Sequence, residues 1–435
     1  MNYKNTLQYL FNSVPMFQQV GGSAYKAGLD TTLALDEYFH HPHHKFKTIH
    51  VGGTNGKGSC SHTIAAILQH AGYRVGLYTS PHLVDFRERI RVNGEMAPES
   101  YVVDFVEKHR AFFEPLHPSF FELSTAMAFN YFAEQKVDVA VVEVGLGGRL
   151  DCTNIIRPDL CVITNISFDH VQFLGDTYAK IASEKAGIIK KDVPVVIGEH
   201  NDETRPVFQH KADEVGAPII FAQEEQLLKH TESLVEAHKI WNKYDTADYP
   251  ALIGELTGLC QQKNTNTLLS AVRQLKKAGY NLSEEDVRYG FAHVTDTGLM
   301  GRWQTLHTSP TVICDTGHNV GGIQYISEQL QQLHYNRLHV VIGMVSDKDV
   351  SGVMKLLPKN AIYYFTKASV KRAMEVDDFA SLARQYGLEG TCYPTVVEAT
   401  NAAYKKSLPD DLIFVGGSSF IVADLLTGSD ALDFN

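Results

Sequence analysis

Short apolar runs of strand length alternate with stretches of helical periodicity over most of the chain. Residues 46–51, 74–79, 137–144, 160–166 and 193–198 are nearly continuous apolar runs, the pattern of strands covered on both faces. Helical spacing occupies 61–70 between the first two. A polar, glutamate-rich stretch over 201–249 breaks the rhythm and predicts weaker strands and irregular connections. Helices are predicted over 265–278 and 283–291. A second alternating series then places strands at 311–315, 338–344, 361–366 and 412–416. Strands alternating with helices predict an α/β fold with parallel sheets. Two glycines among polar residues at 295–301 mark a linker. The expected organisation is an N-terminal domain over 1–296 with a mostly parallel sheet, then a smaller Rossmann-like domain over 297–435.

One connection carries a chemical signature. The apolar run 46–51 passes through the glycine-rich segment 50–59 (HVGGTNGKGS) into a helical pattern. A strand, a glycine loop and a helix start converge backbone N–H groups on an anion, and Lys57 adds a full charge. The spacing departs from a Walker A loop: Val51 stands six residues before Lys57, and Gly58 separates Lys57 from Ser59. The segment predicts a P-loop-type ATPase domain that binds a nucleoside triphosphate.

Ligands of open α/β sheets bind beyond the carboxyl ends of the strands. Three further strand ends are polar there: Thr79-Ser80-Pro81-His82, Glu143 running into 145–151, and Asp169-His170. A carboxylate ending a buried strand beside a phosphate loop is placed to hold Mg²⁺. Structural roles compete at each position: Glu143 paired with Arg149, His170 as a core histidine, Ser80 as a helix cap.

Composition narrows the class. The 435 residues are 44% apolar and 20% charged, with net charge −11, which argues against a nucleic-acid scaffold but leaves room for a local cationic pocket. No apolar run reaches the roughly 18 residues of a membrane span, and the first ten residues carry no signal core, so a cytoplasmic enzyme is expected. Six scattered cysteines without a C-x-x-C read as reduced, mostly buried thiols. His40, His41, His43 and His44 look metal-like, but without acidic or cysteine companions they are expected to form a solvated loop.

Together, 50–59 (HVGGTNGKGS), 79–83 (TSPHL), 143–154 (EVGLGGRLDCTN), Asp169-His170 and 184–188 (EKAGI) resemble the folylpolyglutamate synthase/dihydrofolate synthase family of the Mur ligase superfamily. The resemblance continues through Gly301-Arg302, 315–319 (DTGHN), 342–349 (IGMVSDKD) and 415–418 (VGGS), covering nearly the whole chain in order. It implies ATP-dependent ligation of L-glutamate to a pterin-bearing carboxylate through an acyl phosphate, releasing ADP and phosphate. Dihydropteroate, a reduced folate, or both remain open as substrates.

By the same resemblance Lys57 contacts the β/γ-phosphates, and Gly53, Thr54, Asn55, Gly56, Gly58 and Ser59 complete the cradle. Ser80, Glu143 and His170 match Mg²⁺ positions, and Lys185 matches a lysine carbamylated to serve a second Mg²⁺. Asn264 matches an adenine contact, Arg302 a phosphate contact and Asp315 a ribose contact. His318 matches the catalytic face and Ser418 a glutamate-site serine. The pterin pocket would include Phe121, Glu122, Leu150 and Asp151. The partners implied are small molecules only, with neither nucleic acid nor membrane, and the chain is expected to be a monomer.

Two rivals share part of this chemistry. A peptidoglycan Mur ligase would carry a UDP-sugar-binding domain ahead of the phosphate loop, whereas only about 50 residues, helical in pattern, precede it, roughly the bottom of the domain size range. Intact Lys57, Glu143, His170, Lys185 and Asp315 argue against a nucleotide-dependent switch without ligase activity. Ligands divided between two domains require closure, with a hinge near 295–301 and an open state without ligands. Interdomain distances from small-angle scattering should therefore shorten when ATP and substrate are added; equal distances would refute closure.

Overall fold

The computed structural model describes residues 1–13, 28–236 and 239–434. Two units divide the chain: Met1–Thr257 with Gln261–Leu299, and Gly258–Cys260 with Met300–Asn435. The first contains an eight-stranded sheet formed by β1 (Lys47–Gly52), β2 (Val75–Tyr78), β3 (Ile90–Val92), β4 (Glu95–Met96), β5 (Val139–Glu143), β6 (Leu160–Ile163), β7 (Val195–Ile197) and β8 (Ile219–Phe221), in the order β4-β3-β2-β5-β1-β6-β7-β8. All neighbours pair in parallel except β2–β3 and β3–β4. β1 therefore lies between β5 and β6, with Val51 opposite Glu143 on one side and Val162 on the other.

Alternation divides β1 between two faces. Ile49 and Val51 join the core packed under the helices Lys57–His70 and Cys260–Lys277. Both side chains are fully buried, contributing about 1.5–3 kcal/mol each by leaving water. The opposite face holds Ala140, Val142 and Tyr78 against the helix Phe120–Glu134.

The five predicted strands of this unit are present, and the edges add β3, β4 and β8. The stretch 201–249 holds the weaker strands expected, but also helix that its pattern does not predict. It contains an 11-residue helix, Arg205–Val215, held by buried Phe208 and Ala212 one turn apart and closed by left-handed Gly216. An antiparallel sheet of β9 (Leu228–Glu236), β10 (Lys239–Thr246) and β11 (Leu252–Gly254) follows. Ahead of β1 the described residues form the helices Tyr3–Ser13 and Asp30–Tyr38 and a short 3-10 turn at Pro42–Lys45; residues 14–27 lie outside the described residues.

The histidine cluster is only in part the solvated loop expected: His40, His41 and His44 are exposed, but the cluster has an acidic companion. Both Asp36 carboxylate oxygens are engaged, Oδ2 by His41 Nδ1 at 2.6 Å and Oδ1 by His43 Nδ1 at 2.8 Å, and His43 is buried. The acidic companion comes from the preceding helix. Among the described residues no three His, Cys, Asp or Glu side chains gather as a metal site. None of those residues forms a helix long and apolar enough to cross a membrane. None of the six cysteines forms a disulfide; Cys60, Cys161 and Cys314 are buried and the other three are half-buried.

The second unit's sheet has six strands: β12 (Gln304–Thr308), β13 (Thr311–Cys314), β14 (Leu338–Ile342), β15 (Ala361–Phe365), β16 (Gly390–Cys392) and β17 (Leu412–Gly416), in the order β12-β13-β17-β14-β15-β16. Only β12 runs antiparallel. The four predicted strands are its centre, and the fold class is as expected: a P-loop-type domain with a mostly parallel sheet followed by a Rossmann-like α/β domain.

The helix Lys57–His70 is braced at its far end. His70 Nδ1 meets Asp286 Oδ1 at 2.7 Å, and its ring stacks on Tyr289 at 4.1 Å. Gly290 permits the crossing: a Cβ there would come within 2.7 Å of the Ile67 backbone nitrogen. Gly290→Ala should lose about 1–3 kcal/mol in urea unfolding, the scale of overpacking; unchanged stability would show that the crossing is loose.

Candidate active site

The phosphate-loop helix begins at Lys57, four residues earlier than its pattern predicts, with left-handed Gly56 as its N-cap. The loop is fastened from β6. Thr54 N–H donates to Asn165 O at 2.9 Å, Asn55 N–H to Asn165 Oδ1 at 3.0 Å, and Asn55 Nδ2 to Ser167 Oγ at 3.1 Å. Thr164 Oγ1 donates to Asn55 O at 2.6 Å. Gly53 has φ +134°, and a Cβ would collide with the Thr164 hydroxyl, so only glycine fits. Lys57 Nζ donates to Thr54 O at 3.1 Å.

Gln261 and Asn264, on the first turns of the helix Cys260–Lys277, approach from the other side. Asn264 Nδ2 donates to Gln261 Oε1 at 2.9 Å, and Gln261 Nε2 to Ser59 Oγ at 3.3 Å. The Asn264 side chain lies against Gly56. Thr164, Asn165, Ser167 and Gln261 are not singled out by the sequence pattern. The visible signal is the polar run after the apolar strand 160–163.

Glu143 ends β5 with 4% exposure, and its Oε2 accepts the Ser80 N–H at 3.0 Å. Ser80 caps no helix. Arg149 pairs with Glu184 at 2.9 Å. Lys185, on the helix Tyr178–Ala186, is buried and donates from Nζ to Gly53 O at 2.8 Å. Burial and the positive charge of Lys57 lower its ammonium to about 7, against weaker opposition from Asp169 and Asp151. His170 is half-buried rather than a core histidine, with φ +51° at the start of the short helix Val171–Leu174. A left-handed non-glycine residue costs on the order of 1 kcal/mol or more.

Expected substrate residues have local partners. Glu122 closes a capping box with Ser119, its Oε2 accepting the Ser119 N–H at 2.6 Å. The buried Asp151 carboxylate accepts from Leu146 N–H at 2.8 Å and Thr153 N–H at 3.0 Å, while desolvation raises its pKa. Phe121 packs over Gly145 and lies 5.8 Å from the Tyr78 ring.

In the second unit Asp315 follows β13 and is half-buried, with its pKa raised by desolvation. It accepts from Trp303 N–H and Gly317 N–H, both at 2.7 Å. Arg302 Nη1 donates to Thr316 Oγ1 and to Gly301 O. His318 Nδ1 lies 3.0 Å from Thr316 O. Ser418 is the N-cap of the helix Ser419–Thr427, accepting the Ile421 N–H at 3.1 Å.

Comparison with known proteins agrees with this architecture. The Mur ligase middle domain matches residues 51–245, and the Mur ligase glutamate ligase domain matches 301–419. The chain is 33% identical to the dihydrofolate synthase/folylpolyglutamate synthase of Bacillus subtilis, over 92% of this chain and 94% of that protein. It is 31% identical to the probable bifunctional folylpolyglutamate synthase/dihydropteroate synthase of Haloferax volcanii, over 98% of this chain but only 50% of that protein, so it spans about half of that relative's length. The Escherichia coli FolC structure in complex with DHPP and ADP is similar at TM-score 0.80 and 30% identity, covering 99% of this chain and 98% of that one. The Yersinia pestis bifunctional folylpolyglutamate synthase/dihydrofolate synthase complexed with AMPPNP and Mn ion has TM-score 0.81 and 27% identity, covering 99% and 98%. On this evidence the chain belongs to the dihydrofolate synthase/folylpolyglutamate synthase family of Mur ligases.

Proposed function

We propose that this chain is an ATP-dependent ligase that joins L-glutamate to a folate-type carboxylate. The observation that carries this reading is the carboxyl end of two neighbouring central strands bearing a glycine-rich phosphate cradle and the buried Glu143, followed by a second α/β unit matching a glutamate ligase domain. A carboxylate is a poor electrophile. Transfer of the γ-phosphoryl group of ATP makes it an acyl phosphate; the glutamate amine then attacks the acyl carbon, and phosphate leaves. Two anions must meet in the first step, so positive charge and oriented N–H groups dominate its catalysis.

In this reading the N–H groups of 53–59 receive the phosphates, and Lys57 leaves the Thr54 carbonyl to contact the β/γ-phosphates. Asn264 orients the base, Arg302 a phosphate and Asp315 the ribose. Phe121 offers a ring face to the pterin, and Glu122 and Asp151 hold the backbone around it through the contacts they already make. His318 and Ser418 serve the glutamate side, Ser418 through the helix start it caps. Ser80, Glu143, His170 and a carbamylated Lys185 form a donor set, chiefly oxygen, that suits Mg²⁺. When bound, the divalent ion supplies charge that screens the phosphates. Two ions, a monomeric state and a cytoplasmic setting belong to the same proposal.

The test is ADP release that requires both glutamate and a folate precursor, with dihydropteroate and a reduced folate monoglutamate compared as acceptors. Release with neither would favour a plain nucleotidase. In that assay Glu143→Ala should lose at least ~10²-fold in kcat, the scale of removing a charge-stabilising group, while its thermal unfolding stays near that of the parent. Normal turnover would overturn the metal assignment.

Lys185 sets a pH expectation. Only the neutral amine captures CO2, forming a carbamate and releasing a proton. With its nitrogen at about 7 rather than 10.5, the neutral fraction rises as pH climbs through neutrality and is lost below it. Enzyme stripped of CO2 at low pH and then supplied with the same dissolved CO2 concentration should regain activity faster at pH near 8 than near 6, and Lys185→Arg should not regain it. Equal recovery at both pH values would reject the carbamate.

A further inference from the structure

Asn165 holds two consecutive residues of the phosphate loop at once. Its backbone oxygen accepts from Thr54 N–H at 2.9 Å, and its side-chain Oδ1 accepts from Asn55 N–H at 3.0 Å. The second contact depends on which way the amide faces, because a flipped amide would set its NH2 against the Asn55 N–H, donor against donor. One neighbour resolves this choice. Glu199, beyond the end of β7, places Oε1 3.4 Å from Asn165 Nδ2 and can only accept there when ionised. The backbone fixes the approach, since Glu199 N–H donates to Thr164 O at 2.9 Å. Partial burial raises the Glu199 carboxyl above its ordinary value, and Lys263, on the helix that also carries Asn264, and the Asn165 amide pull it back toward the ionised form.

We propose that Glu199 and Asn165 are positioning residues for the nucleotide: Glu199 orients the Asn165 amide, and Asn165 presets the peptide at Thr54–Asn55 in the shape that receives phosphate. Neither touches the reacting atoms. The proposal rests on the reading of 53–59 as the nucleotide cradle, so its test measures ADP binding by calorimetry on the full chain before any turnover is assayed. If the parent protein binds no ADP, that reading fails first and separately.

Asn165→Asp keeps size and shape but sets two carboxylates against each other. It should weaken ADP binding about ten-fold or more, the ratio corresponding to one strong hydrogen-bond mismatch. Adding Glu199→Gln reverses donor and acceptor, because the glutamine amide can donate to the new carboxylate. This pair should recover binding to within about three-fold of the parent. Glu199→Ala alone introduces no repulsion and should raise KM for ATP several-fold while leaving kcat and the folate-substrate KM unchanged. A purely structural role would instead lower unfolding temperature without separating these constants, and the swap would not rescue binding. Parent-like ADP affinity in Asn165→Asp, or no recovery in the double variant, would overturn the proposal. Should Asn165→Asp fail to fold, an unchanged KM for ATP in Glu199→Ala would overturn it alone.

Discussion

A buried lysine ammonium against a backbone carbonyl is the contact on which the nucleotide end of this sheet depends. Lys185 Nζ reaches Gly53 O, joining the helix Tyr178–Ala186 to the turn that leaves β1. A cation taken out of water beside a second cation is expensive, and here burial and Lys57 together bring its proton affinity close to neutrality. The same position that makes the charge costly makes the nitrogen chemically available. A lysine at the surface would be a permanent cation with nothing to offer beyond its charge.

The strand order explains why distant segments meet. β1 lies between β5 and β6, so the chain returns to the flanks of the first strand only after long excursions. Glu143 and Asn165 thereby stand on opposite sides of one loop, although more than twenty residues separate them in sequence. Each supplies a different service: Glu143 offers negative charge at a strand end, and Asn165 satisfies two backbone donors.

Much of this was legible in the chain. Parallel strands buried on both faces leave unmistakable apolar runs, and the central strands of both sheets follow them. The antiparallel edges β3 and β4 carry too few residues to set a period, and β12 is mixed polar sequence with no buried side chain to mark it. The helix Arg205–Val215 hides within a polar stretch because only Phe208 and Ala212 of it are fully buried. The clamp by Thr164, Asn165 and Ser167 depends on β6 lying beside β1, which no local pattern states. Glu122 shows a different obstacle. Ser119 three residues before it is a capping signature, but its place among site motifs gave it a substrate role, and the structure adds the cap as its immediate contact.

The helix Lys57–His70 has a mechanical consequence. Its fourteen residues span about 21 Å at 1.5 Å per residue. One end carries the phosphate loop and the other is pinned by His70 to Asp286 and by the close crossing at Gly290. Eleven of its residues are buried, so it can neither tilt nor slide without opening the core. It is a strut rather than a lever. Any yielding when a nucleotide arrives must be taken up by side chains such as Lys57 and by the loops around the cradle, while the rod behind them holds its place.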